Sequence, residues 1–322
     1  MKLIFKKKLF SFSLATSLAN SKGVLTKRKG WLINIIGENG AIGWGEVSPL
    51  TKNEFIACEK IIIKIGNTIQ KKALEDSIHI LPKCIAFGIG GALAEIDKLV
   101  GENSNERWMK PRNHAYLINP KGPVLEEVSS LTRKFISNDE ILTLKIKVGL
   151  INNTDEQNLV QKIIKLLPVE SKLRIDVNGG WDFEQAKIWV NILKQEPRIE
   201  WIEQPLPAKD IEGLLELSRI IPIALDESII ENPALMKSWE SWQIRRPLLE
   251  GDPRILLTEL KEGKKFRSIS TTFETGIGKR WINHLAALQQ LGPTPTAPGL
   301  APGWSPTSKL FSSNPKEVWE AI

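Results

Sequence analysis

Two lysines and three carboxylates stand at regular intervals through the middle of the chain. Lys145 and Lys147 lie within the apolar stretch 144–148. Asp176, Glu203 and Asp226 each stand at or near the end of a later short apolar run, in 174–178, 201–205 and 223–228. From Lys147 the acids follow at intervals of 29, 27 and 23 residues. A strand, a turn, a helix and a return loop need that length, because a crossover between parallel strands takes about a dozen residues or more. The spacing predicts consecutive βα units of a parallel barrel, with the charged groups at one rim.

In a parallel barrel, functional groups sit at the C-terminal ends of the strands. Asp176, Glu203 and Asp226 would come from the third, fourth and fifth strands and so be neighbours. One such acid alone would be read as a cap or a surface residue. Three that converge repel one another unless a cation holds them, and oxygen-only ligands favour a hard ion: Mg²⁺ first, Mn²⁺ second. Lys145 and Lys147 are two residues apart on a strand, so they point to the same face. The apolar residues between and around them turn that face inward, towards the acids. Two close ammonium groups depress each other's pKa, and a neutral lysine can remove a proton from a carbon acid. A metal would hold the enediolate formed when a proton leaves the carbon next to a carboxylate.

The elements that must position these groups fall into two parts. Residues 31–36 and 41–46 are strand candidates, joined by Gly37-Glu38-Asn39-Gly40, whose Asn-Gly pair signals a hairpin. Helical spacing follows in 53–70, with Phe55, Cys58, Ile62 and Ile65 on one face, and in the Gly/Ala-rich 84–100, with Pro82 between. This makes an α+β unit. Residues 104–113 read as a linker. Strand and helix then alternate: strands at 115–118, 142–147, 243–246 and 268–271, and helices at 124–135 and 281–291. Thr154 with Gln157, Asp182, Asp210, Asn232-Pro233 and Asp252-Pro253 are expected helix starts. Leu159, Ile163 and Leu166 are expected to be buried. The Pro- and Gly-rich 293–302 closes the barrel as irregular chain. The tail from Ser305 is a surface extension that Trp319 could dock.

Composition narrows the classes. The 322 residues are 42% hydrophobic and 25% charged, which is ordinary for a globular protein. Net charge is +7, but no stripe of Arg and Lys interleaves with aromatics, so no nucleic acid is expected. Cys58 and Cys84 lack metal-ligand spacing, which suits a reduced cytoplasmic protein. His79, His114 and His284 sit in no motif and are expected to be structural or exposed. Basic 1–8 followed by apolar 9–19 mimics a secretory signal. Ser11, Ser13, Thr16 and Ser17 interrupt it, and an edge strand pair is the preferred reading. No apolar run is long enough for a membrane span.

Taken together, these residues resemble the enolase superfamily, and within it the o-succinylbenzoate synthases. Gly43-Trp44-Gly45-Glu46-Val47-Ser48-Pro49-Leu50 is similar to the end of that family's capping-domain hairpin, and 85–95 to its packed helix. Lys145-Ile146-Lys147-Val148-Gly149 resembles the Lys-x-Lys strand, whose second lysine is the base. Asp176, Glu203 and Asp226 match its three metal ligands. Ser270-Thr271-Thr272-Phe273-Glu274-Thr275-Gly276 resembles the loop that meets a substrate carboxylate, so Ser270, Thr271 and the backbone around Gly276 become binding candidates. The resemblance implies an α/β fold: an α+β capping domain over 1–110, completed by C-terminal residues, a modified TIM barrel, (β/α)7β, over 111–304, and a tail over 305–322. It also implies Mg²⁺-dependent syn dehydration of 2-succinyl-6-hydroxy-2,4-cyclohexadiene-1-carboxylate, a step towards menaquinone or phylloquinone. A monomer acting on a dianionic small molecule is expected.

One position departs from the family pattern. Members carry a further lysine at the sixth strand, before a Pro and a Gly. Here Arg246 stands there, followed by Pro247 and then Glu250-Gly251. Arginine does not give up its proton at accessible pH. Racemases of the superfamily need a base on each face, whereas a one-base elimination needs only a cation there, placed over the π system. N-succinylamino acid racemase, dipeptide epimerase or muconate cycloisomerase-like activity, or an inactive metal-binding homologue, are the remaining readings.

Overall fold

A computed structural model describes the chain apart from residues 21, 22, 103, 120, 121, 139 and 151, and apart from the side chains of 16–20, 23 and 24. The N-terminal part begins with three strands, β1 (Lys2–Asn20), β2 (Gly23–Gly37) and β3 (Ile42–Val47). Helix α1 (Lys52–Ile65), strand β4 (Thr68–Gln70) and helices α2 (Lys71–Ser77) and α3 (Lys83–Ile96) follow. The strands form one antiparallel sheet in the order β3-β2-β1-β4. The stretch that mimics a secretory signal is therefore sheet. Its Leu3, Phe5, Phe10, Phe12 and Leu14 are buried, and strand alternation produces the apolar content. The expected hairpin is present: Gly40 adopts φ 77° and donates its N–H to the Gly37 carbonyl at 2.9 Å.

Helix α1 stops five residues short of its expected end. Gly66 turns the chain at φ 71°, and 68–70 pair with β1 instead. Cys58 and Ile62 are buried on the expected face, with Phe55 and Ile65 packed beside them. The glycines of β3 have a packing reason. A Cβ on Gly43 would lie 1.9 Å from the Ala92 carbonyl oxygen, and one on Gly45 would lie 2.0 Å from that of Gly88. Strand β3 therefore rests directly on α3, and only residues without side chains allow it.

From Tyr116 the chain alternates strand and helix: β5 (Tyr116–Leu117), α4 (Val124–Ser137), β6 (Thr143–Lys147), α5 (Asn153–Leu166), β7 (Lys172–Asp176), α6 (Phe183–Leu193), β8 (Ile199–Glu203), α7 (Ile211–Ser218) and β9 (Ile223–Ala224). Two short helices, α8 (Glu227–Glu231) and α9 (Leu235–Ser238), precede β10 (Gln243–Arg245). Helices α10 (Pro247–Glu250) and α11 (Pro253–Lys261), strand β11 (Arg267–Ile269) and helix α12 (Gly276–Leu291) complete the series. Strands β5 to β9 pair in parallel in chain order, and β10 pairs in parallel with β11. A bridge from Leu225 to Gln243 joins these two groups. The ring closes through irregular chain, as expected: Ser270 bridges to Gly299, and Ala115 donates to the Pro298 carbonyl at 2.9 Å. The result is a (β/α)7β barrel beside an α+β cap.

Asp182, Asp210 and Asp252 cap their helices as expected, accepting from Gln185, Gly213 and Arg254. Two starts differ. Asn152, not Thr154, caps α5, and its side chain accepts the Thr154 N–H. Asn232 ends α8, a helix that begins directly after Asp226. The buried face of α5 is Val160, Ile163 and Ile164, while Leu166 is exposed. Leu144, Ile146 and Val148 share one core cluster with these residues. That arrangement turns Lys145 and Lys147 to the barrel interior, because alternate residues face opposite sides.

Residues 305–322 pack onto the molecule instead of extending from it. Helix α13 (Pro315–Glu320) buries Val318 completely, the Trp319 ring lies 5.8 Å from that of Trp44, and Lys8 donates to the Trp319 carbonyl at 2.8 Å. No helix among the described residues is long and apolar enough to cross a membrane.

Candidate active site

Sheet register brings the expected residues together. Lys147 is the register partner of Asp176, and Asp176 that of Glu203. Glu203 is in turn the partner of Ala224, two residues before Asp226. Lys145 Nζ lies 2.9 Å from Asp176 Oδ2 and 2.6 Å from Glu203 Oε1. Lys147 Nζ lies 2.8 Å from the same Asp176 oxygen and donates to Asn178 Oδ1 at 2.5 Å. The three acids are buried.

Charge placement sets their protonation. Burial pushes the Asp176 carboxyl up, but the Lys145 and Lys147 ammonium groups outweigh it and hold the acid well below the usual carboxylate range. Glu203 is raised, by burial first and then by the Asp176 and Asp226 charges. Burial also disfavours the Lys145 ammonium, but Asp176 and Glu203 more than offset this and raise its pKa. For Lys145, this corrects the expectation that the paired lysines depress each other. Carboxylates stand within ion-pair distance of Lys145, and their attraction outweighs the repulsion.

Arg246 follows β10 and completes the cluster. Its Nε donates to both Asp226 oxygens, at 2.9 and 3.0 Å, and Nη2 donates to Oδ2 at 2.6 Å. Nη1 donates to the Thr271 carbonyl at 2.7 Å. Burial lowers its pKa, but Asp226 more than compensates, so it is further above the usual value. Of the expected binding residues, Thr271 therefore reaches the site through its carbonyl. Ser270 is buried on the Gly299 bridge, where its hydroxyl contacts the Gly299 carbonyl at 3.3 Å. Gly276 begins α12, and a Cβ there would lie 1.9 Å from the Ser312 carbonyl oxygen. Its packing against the C-terminal segment accounts for the glycine.

Several residues of the site were not singled out in the sequence. Asn178 takes φ 51°, and its Nδ2 donates to Glu227 at 3.1 Å. Gln204 takes φ 40°; its Oε1 accepts the N–H groups of Asp226 and Ser228, and its Nε2 donates to the Ser228 hydroxyl. These amides fix the loops that carry Lys147 and Asp226. The available signal was an amide one or two residues after a strand-end acid. Non-glycine residues at positive φ cluster at functional sites.

Other clefts lie away from this cluster. One of about 610 Å³ is lined by Thr143, Lys172 and Glu200, at the N-terminal ends of their strands. That end of a barrel serves stability, and the chemistry sits at the opposite rim.

The three acids offer only hard oxygen donors, which suits a divalent cation such as Mg²⁺. Their mutual repulsion, felt by Glu203, is what such an ion relieves. Among the described residues no group of three His, Cys, Asp or Glu side chains is arranged to hold a metal. Lys145, Lys147 and Arg246 stand within ion-pair distance of these acids.

Residues 127–239, which hold both lysines and all three acids, match the family described as Enolase C-terminal domain-like. Over these residues the chain is similar to the enolase superfamily. An o-succinylbenzoate synthase of Thermosynechococcus vestitus is 27% identical over 295 residues, which is 86% of this chain and 87% of the relative. A hydrophobic dipeptide epimerase of Flavobacteria bacterium is 29% identical over 59% of each chain. The crystal structure of o-succinylbenzoate synthase from Thermosynechococcus elongatus, complexed with Mg in its active site, superposes with a TM-score of 0.81. It shares 24% identity and covers 99% of this chain and 100% of its own. The cap-plus-barrel architecture is thus common to both.

Proposed function

We propose that the protein is an o-succinylbenzoate synthase. It dehydrates 2-succinyl-6-hydroxy-2,4-cyclohexadiene-1-carboxylate to o-succinylbenzoate, in the cytoplasm and as a monomer, in menaquinone or phylloquinone biosynthesis. The observation that carries this reading is Arg246, tied to Asp226 at the strand end where a second base would stand. A guanidinium there supplies charge without accepting a proton. One mobile proton, on Lys147, suits an elimination from a single face.

Lys147 removes the proton from the carbon next to the substrate carboxylate. The same ammonium then returns a proton to the departing hydroxyl, so one C–H and one C–O bond break on the same face and water leaves. Lys145, held between Asp176 and Glu203, stays charged and faces the developing anion. Arg246 presents its guanidinium to the π system. Asp176, Glu203 and Asp226 would hold Mg²⁺ or Mn²⁺, which would supply positive charge that stabilises an enediolate. Thr271 and Ser270 lie beside Arg246 and the closing strand, where a carboxylate could be received.

Purified protein with Mg²⁺ should convert the cyclohexadiene to an aromatic product, followed by absorbance. No aromatic product, together with epimerisation of dipeptides or racemisation of N-succinyl amino acids, would replace this reading with a two-base one.

A further inference from the structure

Glu274 takes no part in the chemistry above, yet it is 2% exposed and fully engaged. Its Oε2 accepts the Thr271 hydroxyl at 2.5 Å. Its Oε1 accepts the Thr272 N–H at 2.8 Å and the Thr272 hydroxyl at 2.5 Å. The Thr271 hydroxyl also accepts the Phe273 N–H at 2.8 Å. Phe273 adopts φ 64°, a conformation that costs a residue bearing a Cβ and persists only where its surroundings impose it. One buried carboxylate thus holds a strained turn. Helix α12 is bare where the Glu274 side chain passes: a Cβ on Gly278 would sit 2.8 Å from Glu274 Cβ.

The turn so held presents the carbonyl that meets Arg246. Thr271 accepts Arg246 Nη1 at 2.7 Å, and its own N–H donates to the Gly299 carbonyl at 3.0 Å. Arg246 therefore has two anchors, the Asp226 carboxylate and the Thr271 carbonyl. Held only through Nε and Nη2 on Asp226, the planar guanidinium can hinge about the line through those contacts; the third contact, from Nη1 to Thr271, fixes its plane. We infer that Glu274 is a positioning residue for Arg246 and acts through Thr271. The inference rests on the reading that Arg246 faces the substrate. Its chemical consequence is that the plane of the cation over the π system is set from outside the cluster of lysines and acids.

The test combines turnover with a substrate-free measurement. Glu274→Gln keeps the shape but cannot accept the Thr271 hydroxyl at its amide nitrogen. Thr271→Val removes the hydroxyl and leaves the carbonyl, and Thr271→Ser restores the hydroxyl. The Arg246 Nε–H resonance, identified by its loss in Arg246→Lys, should shift in Glu274→Gln and Thr271→Val and return in Thr271→Ser. Turnover should fall on the order of 10- to 100-fold in kcat with KM little changed. The loss should vanish when Glu274→Gln is made in the Arg246→Lys background. An unmoved resonance in folded variants would overturn the inference. So would equal losses in both backgrounds. Should the wild-type protein give no aromatic product, the proposed reaction fails, while the resonance still decides whether Glu274 positions Arg246.

Discussion

Arg246 grips Asp226 with Nε 2.9 and 3.0 Å from its two oxygens and Nη2 2.6 Å from one of them. The pair joins β10 to the end of β9. It puts a permanent cation against one of the three acids expected to hold a metal. Removing it leaves a buried, unpaired carboxylate. Arg246→Ala should therefore destabilise the fold by about 3 kcal/mol, and added Mg²⁺ should restore part of that. Thermal melts with and without Mg²⁺ decide the matter. A variant as stable as the parent in the absence of metal would contradict it.

Lys147→Ala should abolish proton transfer and leave the fold intact. Loss of a positioned acid–base group typically costs about 10²- to 10⁴-fold in rate. Exchange of the substrate α-proton with solvent deuterium measures this step directly. Substantial remaining exchange would remove Lys147 as the base.

Metal binding should stabilise the protein through all three acids. At a concentration about 100 times Kd, a ligand that binds only the folded state adds about 2.7 kcal/mol. Asp176→Asn should lose most of this gain in Mg²⁺ titrations monitored by melting temperature. Chelator should also stop turnover. Unchanged turnover in excess chelator would exclude a metal from the mechanism.

Glu46 predicts a pH dependence of stability. This buried acid of β3 accepts the N–H and hydroxyl of Thr275 and the N–H of Gly278 at the start of α12. Burial raises its pKa from 4.5 to about 7; the Thr275 bonds pull it down and the Glu274 charge pushes it up. The folded state thus binds its proton more tightly than the unfolded one. The resulting stability is present below pH 4.5 and is lost as pH rises through about 7, a change of roughly 3 kcal/mol. Urea midpoints at pH 5 and pH 8 should fall more for the parent than for Glu46→Gln. Parallel pH curves for the two would refute the assignment.

Gly45→Ala should damage the cap. The new Cβ would meet the Gly88 carbonyl oxygen at 2.0 Å, which is backbone and cannot swing aside. Overpacking of this kind costs about 1 to 3 kcal/mol or more, readable as a lower denaturant midpoint with an unchanged slope.

The spacing of Lys147, Asp176, Glu203 and Asp226 determined the barrel and the membership of its charged rim. Each βα unit has a narrow range of length, and in-register parallel strands align their ends. Local chemistry also located the Asp182, Asp210 and Asp252 caps, because a cap is an interaction within a few residues. The phase of α5 was decided by packing. Leu166 lies one turn along from Ile163 yet is exposed, because the packed face runs through Val160, Ile163, Ile164 and Leu167. Gly276 faces Ser312, a neighbour 36 positions away that no local pattern reveals. Who neutralises whom was likewise a tertiary matter. The lysines were expected to depress each other, yet Lys145 lies between Asp176 and Glu203 and is raised. The balance of attraction and repulsion depends on distances of a few ångströms, and spacing along a chain does not contain them. The same holds for Glu46 and Glu274. Each is one acid among 37 in the sequence, and only the packing of cap on barrel and of turn on helix gives it partners.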